Sequence, residues 1–520
     1  MMQCPDAGEA RLPSLWTWLG FFAMCIGMFM AILDVQIVAT SLPTIQGALG
    51  INPDQMSWIQ TAYLIAEIVA IPLTGFLTRL LSMRWLFVSG TLLFTAASAG
   101  CAQSDSFNAL LCWRVLQGFS GGTLIPLVFS AVFLLFPQRH QSIATTVAGV
   151  VAVMAPTVGP IIGGWITQTY SWHWLFLINI IPGLVAASLA ASLLPRAPME
   201  FKYFRSIDFQ SLAMMAMGLA ALEIALKEAP QRGWLGPVVL SLAAFSVVML
   251  TSFTRRTWSS LTPIVDLHNF KDRNFTIGCI LSFILGFGLF GSVYLMPVFL
   301  AFVRGHNALQ IGQIMLVTGV AQLMIAPLAV MLEQRVEARL LSTIGFLLFA
   351  IGLGCSAFQV PQTDASAMFW PQVIRGLAIM FCLLPPTRLA LGSLQDDRVP
   401  DASGLFNLMR NLGGAIGLAL IDTVIYTRST THGIAIANGL LAGDPRTERF
   451  IGMPANEIVA HMPGKFDAIA QGIFSPMVAR AAMVQAINEA WAMIALITLI
   501  PLLIIMFADQ LPPKASPGNH

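Results

Sequence analysis

Asp34 lies in Leu15–Thr40, a run with no other charged residue and long enough to cross a bilayer, which takes about 20 apolar residues. An ionised carboxylate there costs at least a few kcal/mol (~3) unless it is paired or hydrated. Burial favours its neutral form and a nearby cation its charged form, so such a group takes up and releases a proton as its surroundings change. Arg114, in LLCWRVLQGFSGGTLIP, is a second intramembrane charge and should face the protein interior. Each lies about six residues from the outer end of its span, at similar depth, so the two can pair or compete through protons. The structural alternatives are a carboxylate locked by hydrogen bonds and an arginine bonded to backbone carbonyls.

Further candidates lie within other spans. Glu67, about eleven residues into its helix, sits near the midplane, where it suits a cationic substrate or a second proton. Gln117, Glu223, Arg410 and Asn411 join it as candidate cavity residues, and Arg375 is free to snorkel outward. In GFLTRLLSMRW, Gly75, Arg79 and Arg84 mark a basic helix end that can dock carboxylates or the C-termini of neighbouring helices, and so hold one side closed. In APTVGPIIGGW, Pro156, Gly159, Pro160, Gly163 and Gly164 permit close helix packing and kinks.

Other chemistries are disfavoured. GFSGG (Gly118–Gly122) fits G-x-S-x-G, but a nucleophile elbow needs a strand-to-helix turn and this run is helical. No G-x-x-x-x-G-K-[ST] occurs, which argues against ATP as the direct driver. The seven cysteines are scattered without C-x-x-C or Cys/His spacing, so neither a metal site nor a disulfide framework is expected. No cofactor is expected, and a net charge of +2 gives no sign of a nucleic-acid partner.

These residues need a membrane scaffold. The 520-residue chain is 57% hydrophobic and 10% charged, against about 25% charged in soluble domains. It reads as an all-α polytopic membrane protein with its first apolar run retained as a span. Hydropathy predicts about fourteen helices, near 16–40, 56–77, 85–102, 108–133, 143–168, 173–194, 208–229, 236–254, 275–300, 310–331, 339–357, 367–390, 402–426 and 486–508. Arg79, Arg84, Arg139, Arg196, Lys202, Arg205, Arg255, Arg335 and Arg388 all fall on one side, against Lys227, Arg232 and Arg304 on the other. By the positive-inside rule both termini are then cytoplasmic. A long outside loop, about 427–485, follows the thirteenth span.

The halves echo each other. Pro72–Leu86 parallels Pro327–Leu341 and Val115–Gly122 parallels Val373–Met380, at offsets of about 255–258 residues. This predicts a six-helix bundle over 1–200, two inserted helices with linkers over 201–260, and a second six-helix bundle over 261–520. Repeated bundles rocking about a midplane site are the basis of alternating access.

Together these motifs make the chain similar to the fourteen-helix drug:proton antiporters of the major facilitator superfamily, the EmrB/QacA type. Ile32–Ile45 (ILDVQIVATSLPTI) resembles their first-span signature, whose aspartate is implicated in coupling. RVLQG (Arg114–Gly118) matches a fourth-span motif whose arginine is implicated in proton transfer. VGPIIGGW (Val158–Trp165) matches the antiporter motif, with Ala155 in place of its earlier glycine. GFLTRLLSMRW resembles the loop motif, with Thr78 where many relatives carry an acid and Ser82 where glycine is usual. Leu405–Gly417 resembles the later helix that carries an arginine, here Arg410.

The resemblance implies the major facilitator fold and proton-driven export of hydrophobic or amphipathic compounds across an inner membrane, with Asp34 and Arg114 coupling. It also implies a periplasmic adaptor (EmrA-like) and an outer-membrane channel as partners, with the outside segment as the contact. Two other readings stay open: a dedicated exporter of one metabolite (a fatty acid, siderophore or antibiotic), and a non-transporting receptor or scaffold.

Overall fold

The computed structural model describes residues 14–51, 53–200, 208–260, 263–441, 444–451 and 468–509. Lys202, Arg205, both chain ends and much of the expected outside loop lie outside them. The helices are α1 (Leu15–Leu49), α2 (Pro53–Ala70), α3 (Thr74–Ala102), α4 (Phe107–Leu135), α5 (Gln138–Thr169), α6 (Trp174–Leu177), α7 (Ile180–Leu193), α8 (Phe209–Arg232) and α9 (Pro237–Trp258). They continue with α10 (Arg273–Val298), α11 (Ala308–Arg335), α12 (Ala338–Cys355), α13 (Ala365–Leu391), α14 (Val399–Leu441), α15 (Pro445–Ile451), α16 (Ala468–Ile497) and α17 (Ile500–Ile504). Short polar side chains open several of them: Ser14, Ser106, Asp208, Asp272 and Asn307 accept from first-turn amides that have no partner within the helix.

Thirteen helical runs among the described residues are long and apolar enough to cross a membrane. One of them, Gln55–Ala102, spans 48 residues and makes two crossings. The packing on α4 proves the reversal. Tyr63 and Glu67 of α2 lie against Gly118 and Gly122, so those indices rise together. On α3, Gly90 meets Thr123 while Gly100 meets Trp113, so those indices run oppositely. The chain turns at Ser82, whose φ of 66° and ψ of 156° lie in a region that glycine favours.

Two expected boundaries move. α1 continues to Leu49 and ends on Gly50 at φ 62°. The thirteenth span continues as α14 to Leu441, so 427–441 is helix and not loop. α16 returns alongside: Arg428 and His432 both bond Glu489, and Ile436 and Leu440 pack with Ile451, Ala481 and Ala482. A helix leaving the bilayer persists where it finds such a partner.

Large buried clusters fill the first half, with Phe21, Phe87, Phe94 and Phe129 at one and Ile37, Ile59 and Phe176 at another. A further cluster fills the second half, with Phe287, Phe299, Phe346, Phe349 and Trp491. Another joins the halves at the arginine-rich end: Leu73, Phe76 and Leu80 meet Phe275, Leu405 and Phe406, with Met215, Leu219 and Phe253 of α8 and α9. Helix α8 packs against both α2 and α14, while α9 leaves Val247 and Val248 exposed on the outer surface.

Candidate functional site

Asp34 and Arg114 are both wholly buried and meet directly, Arg114 Nη1 to Asp34 Oδ2 at 2.5 Å. Gln117 and Asn179 donate to the other carboxylate oxygen at 2.9 and 2.8 Å, and Gln117 also donates to Ser98 Oγ at 2.8 Å. Arg114 further donates to Gln117 Oε1 at 2.7 Å and to the Ile59 carbonyl at 3.2 Å, and its guanidinium lies 4.4 Å from the centre of the Tyr63 ring. The charged form of Asp34 thus has a cation and two amide donors, the arrangement that offsets the cost of burying it. Four helices and the α6–α7 joint supply these groups, because each helix carries its polar residue toward the bundle interior.

Sequence reasoning found Asp34 and Arg114 and missed Asn179. That residue stands at the break between α6 and α7, in the uncharged run LFLINIIPG, where a single amide gives little signal. Gln117 was expected to line the substrate cavity and instead belongs to this network, since its helix face turns toward α1 and α3.

Beside the network lies a cavity of about 150 Å³ between the halves. Its walls come from α1, α2, α4 and α5 on one side and α10, α13 and α14 on the other, and are mostly aliphatic or aromatic. Glu67, Glu223, Arg410, Asn411 and Pro156 line it, the second of them from an inserted helix. Arg410 places its guanidinium 5.3 Å from the centres of the Phe129 and Phe406 rings, and its Nε and Nη2 make no hydrogen bond among the described residues. Arg375 does not snorkel: it is buried in the second half, 4.8 Å from the centre of the Trp491 ring.

At the arginine-rich end the halves are fastened. Arg79 is ion-paired with Asp401 at the start of α14, and a Cβ on Gly75 would collide with that carboxylate. Arg84 donates to the Leu194 and Ala191 carbonyls at the C-terminus of α7. Related contacts recur in the other half. Glu333 at the end of α11 bonds Arg388 at 3.0 Å and Ser142 of α5, and the repeat aligns it with Thr78, where the acid of the first half is missing. Ser403 Oγ donates to the Pro126 carbonyl at 2.8 Å. Asp401 and Glu333 carried no signal in a linear reading, because their partners lie on other helices.

Helix α5 packs closely on both halves. A Cβ on Gly159 would sit 2.5 Å from Gln36 Cβ on α1, so a side chain there would force the helices apart. On its other face Thr157 and Ile161 lie against Gly319 and Gly312 of α11. Pro160, Gly163 and Gly164 are buried in the same helix.

Two repeated helical bundles enclosing a charged central cavity, with a fastened end, define a multi-pass membrane transporter. Residues 24–418 match the family model described as Major Facilitator Superfamily, and the chain belongs to that family. It is 40% identical over 426 residues to the colistin resistance protein EmrB of Acinetobacter baumannii, covering 82% of this chain and 83% of that one. It is 30% identical over 499 residues to the multidrug export protein EmrB of Escherichia coli K12, 96% of each. It is 29% identical over 502 residues to the fatty acid resistance protein FarB of Neisseria gonorrhoeae, 95% of this chain and 96% of that one. In fold it is similar to the human organic anion transporter MFSD10 (TETRAN), with TM-score 0.61, 14% identity, and coverage of 95% and 100%. It is also similar to the proton:xylose symporter XylE, with TM-score 0.59, 13% identity, and coverage of 97% and 98%.

Proposed function

We propose that this transporter exports hydrophobic or amphipathic compounds of several kinds in exchange for protons, across the inner membrane and with both termini cytoplasmic. The observation that carries the reading is the buried Asp34–Arg114 pair next to the cavity. Proton binding to Asp34 neutralises the carboxylate and releases Arg114, which also holds Ile59 and stacks on Tyr63 of α2, one turn from Glu67. Proton binding at α1 and α4 is thereby linked to the helix that lines the cavity. The Escherichia coli relative at 30% identity is a multidrug export protein, which supports the direction of transport.

No cofactor is needed in this scheme. Each pH unit supplies about 1.4 kcal/mol per proton. Each 100 mV supplies about 2.3 kcal/mol per charge. The arginine-rich end is then cytoplasmic, and its fastened contacts represent a state closed toward the cytoplasm. Transport in proteoliposomes under an imposed pH gradient tests the proposal, wild type against Asp34→Asn. Movement lost in the variant is the expected result, and unchanged movement removes Asp34 from the mechanism.

An adaptor contact fits the outer extension, where Tyr426 and Ile434 are exposed on α14. Ile434→Asp should then abolish resistance in cells and spare transport in vesicles. Loss of both would make the extension part of the transport machinery.

A further inference from the structure

The buried carboxylates Asp34, Glu333 and Asp401 each hold an arginine. Glu67 and Glu223 differ. Both line the central cavity, and among the described residues neither makes a hydrogen bond or ion pair. They come from different parts of the chain, Glu67 from α2 of the first half and Glu223 from the inserted helix α8, and they open onto the same cavity. The cavity around them is apolar, with Ile32, Val35, Leu289, Phe290, Val293 and Leu418 in its walls.

The inserted helix is fixed to both halves. Lys227 lies 3.9 Å from the centre of the Trp58 ring on α2, and Trp234 Nε1 donates to Thr423 Oγ1 of α14 at 2.9 Å. Helix α8 therefore stands against both α2 and α14, with Glu223 turned to the cavity.

We propose that α8 is a wall of the substrate cavity and that Glu223 and Glu67 together form the site for the charged group of organic cations with apolar bodies. The inference rests on the export reading above and names a substrate class for it. A cation held between two carboxylates is attracted by both, and apolar walls that exclude water strengthen that attraction. Arg410 is the other charge in the cavity, and the Phe129 and Phe406 rings already face its guanidinium. With a monocation bound between the two carboxylates and Arg410 beside them, the charges of the site sum to zero. The aliphatic and aromatic walls then cover the apolar body.

The test compares tetraphenylphosphonium with the uncharged dye Nile red, using the wild type, Glu67→Gln, Glu223→Gln and, as a control on the same helix, Glu228→Gln. Equilibrium binding of tetraphenylphosphonium in detergent is measured beside gradient-driven transport of both probes. Each of Glu67→Gln and Glu223→Gln should weaken cation binding and transport by about tenfold, leave Nile red transport within about twofold, and differ in this from Glu228→Gln. No effect of Glu223→Gln overturns the proposal. Equal loss of both probes also overturns it and makes the pair part of proton coupling. If the wild type moves neither probe, the export reading fails, and cation binding in detergent still decides the site: the tenfold loss supports it, and no binding by the wild type overturns it.

Discussion

The carboxylate of Asp401 occupies the space that a side chain on residue 75 would need, and Arg79, one helical turn from Gly75, pairs with it. Glycine here makes room for the ion pair that joins the two halves. Gly75→Ala must push Asp401 away, and Asp401→Asn removes the charge that Arg79 pairs with. Weakening a part-buried pair of this kind costs about 1–2 kcal/mol, enough to shift a two-state equilibrium about five- to thirtyfold. Both variants should open the arginine-rich end, read as faster labelling of cysteines placed there and as slower transport. Unchanged labelling in both would show that the pair does not hold that end closed.

Ser82 adopts a backbone conformation that costs a residue with a Cβ about 1–3 kcal/mol. Ser82→Gly should therefore raise thermal stability in detergent by about 1 kcal/mol. Ser82→Val should lower it, because a β-branched residue fits that conformation worse. A Gly variant less stable than the wild type would refute the strain.

Asn179 gives Asp34 one of its three side-chain donors. Asn179→Ala should reduce gradient-driven transport about tenfold, in line with a lost hydrogen bond to a charged group of about 1.5–3 kcal/mol. Normal expression with reduced transport is the expected pair of results. Full transport would mean that Arg114 and Gln117 suffice.

Asp208 caps α8 and bonds Arg256 of α9, and that hydrogen bond holds its carboxyl below the usual carboxylate range. A lowered folded-state value gives stability that is present above the unfolded value, about 3.9, and is lost as pH falls through the folded one. The wild type should exceed Asp208→Asn in melting temperature by a constant margin above about pH 5, and the margin should close toward pH 2. A margin still constant at pH 2 would show that the charge of Asp208 plays no part.

The sequence alone determined the class of the protein. Long uncharged runs must become helices in a bilayer, where every backbone polar group needs an internal partner. One-sided arginines predicted direction, and the offset between the halves located the inserted pair. Asp34 and Arg114 were legible because a charge in such a run is costly wherever it ends up. Tertiary structure decided the partners. Asp401 with Arg79, Glu333 with Arg388 and Asn179 with Asp34 are contacts between helices far apart in sequence. It also moved Gln117 from cavity to network, buried Arg375, and extended α14 into the expected loop, since helix rotation and the partner at Glu489 set those outcomes. Glu223 was a cavity candidate from the sequence as a charge within a span, without a partner helix to place it. Only the wedging of α8 between α2 and α14 brings it to the cavity, because which face of a helix meets a neighbour depends on packing that no single span encodes.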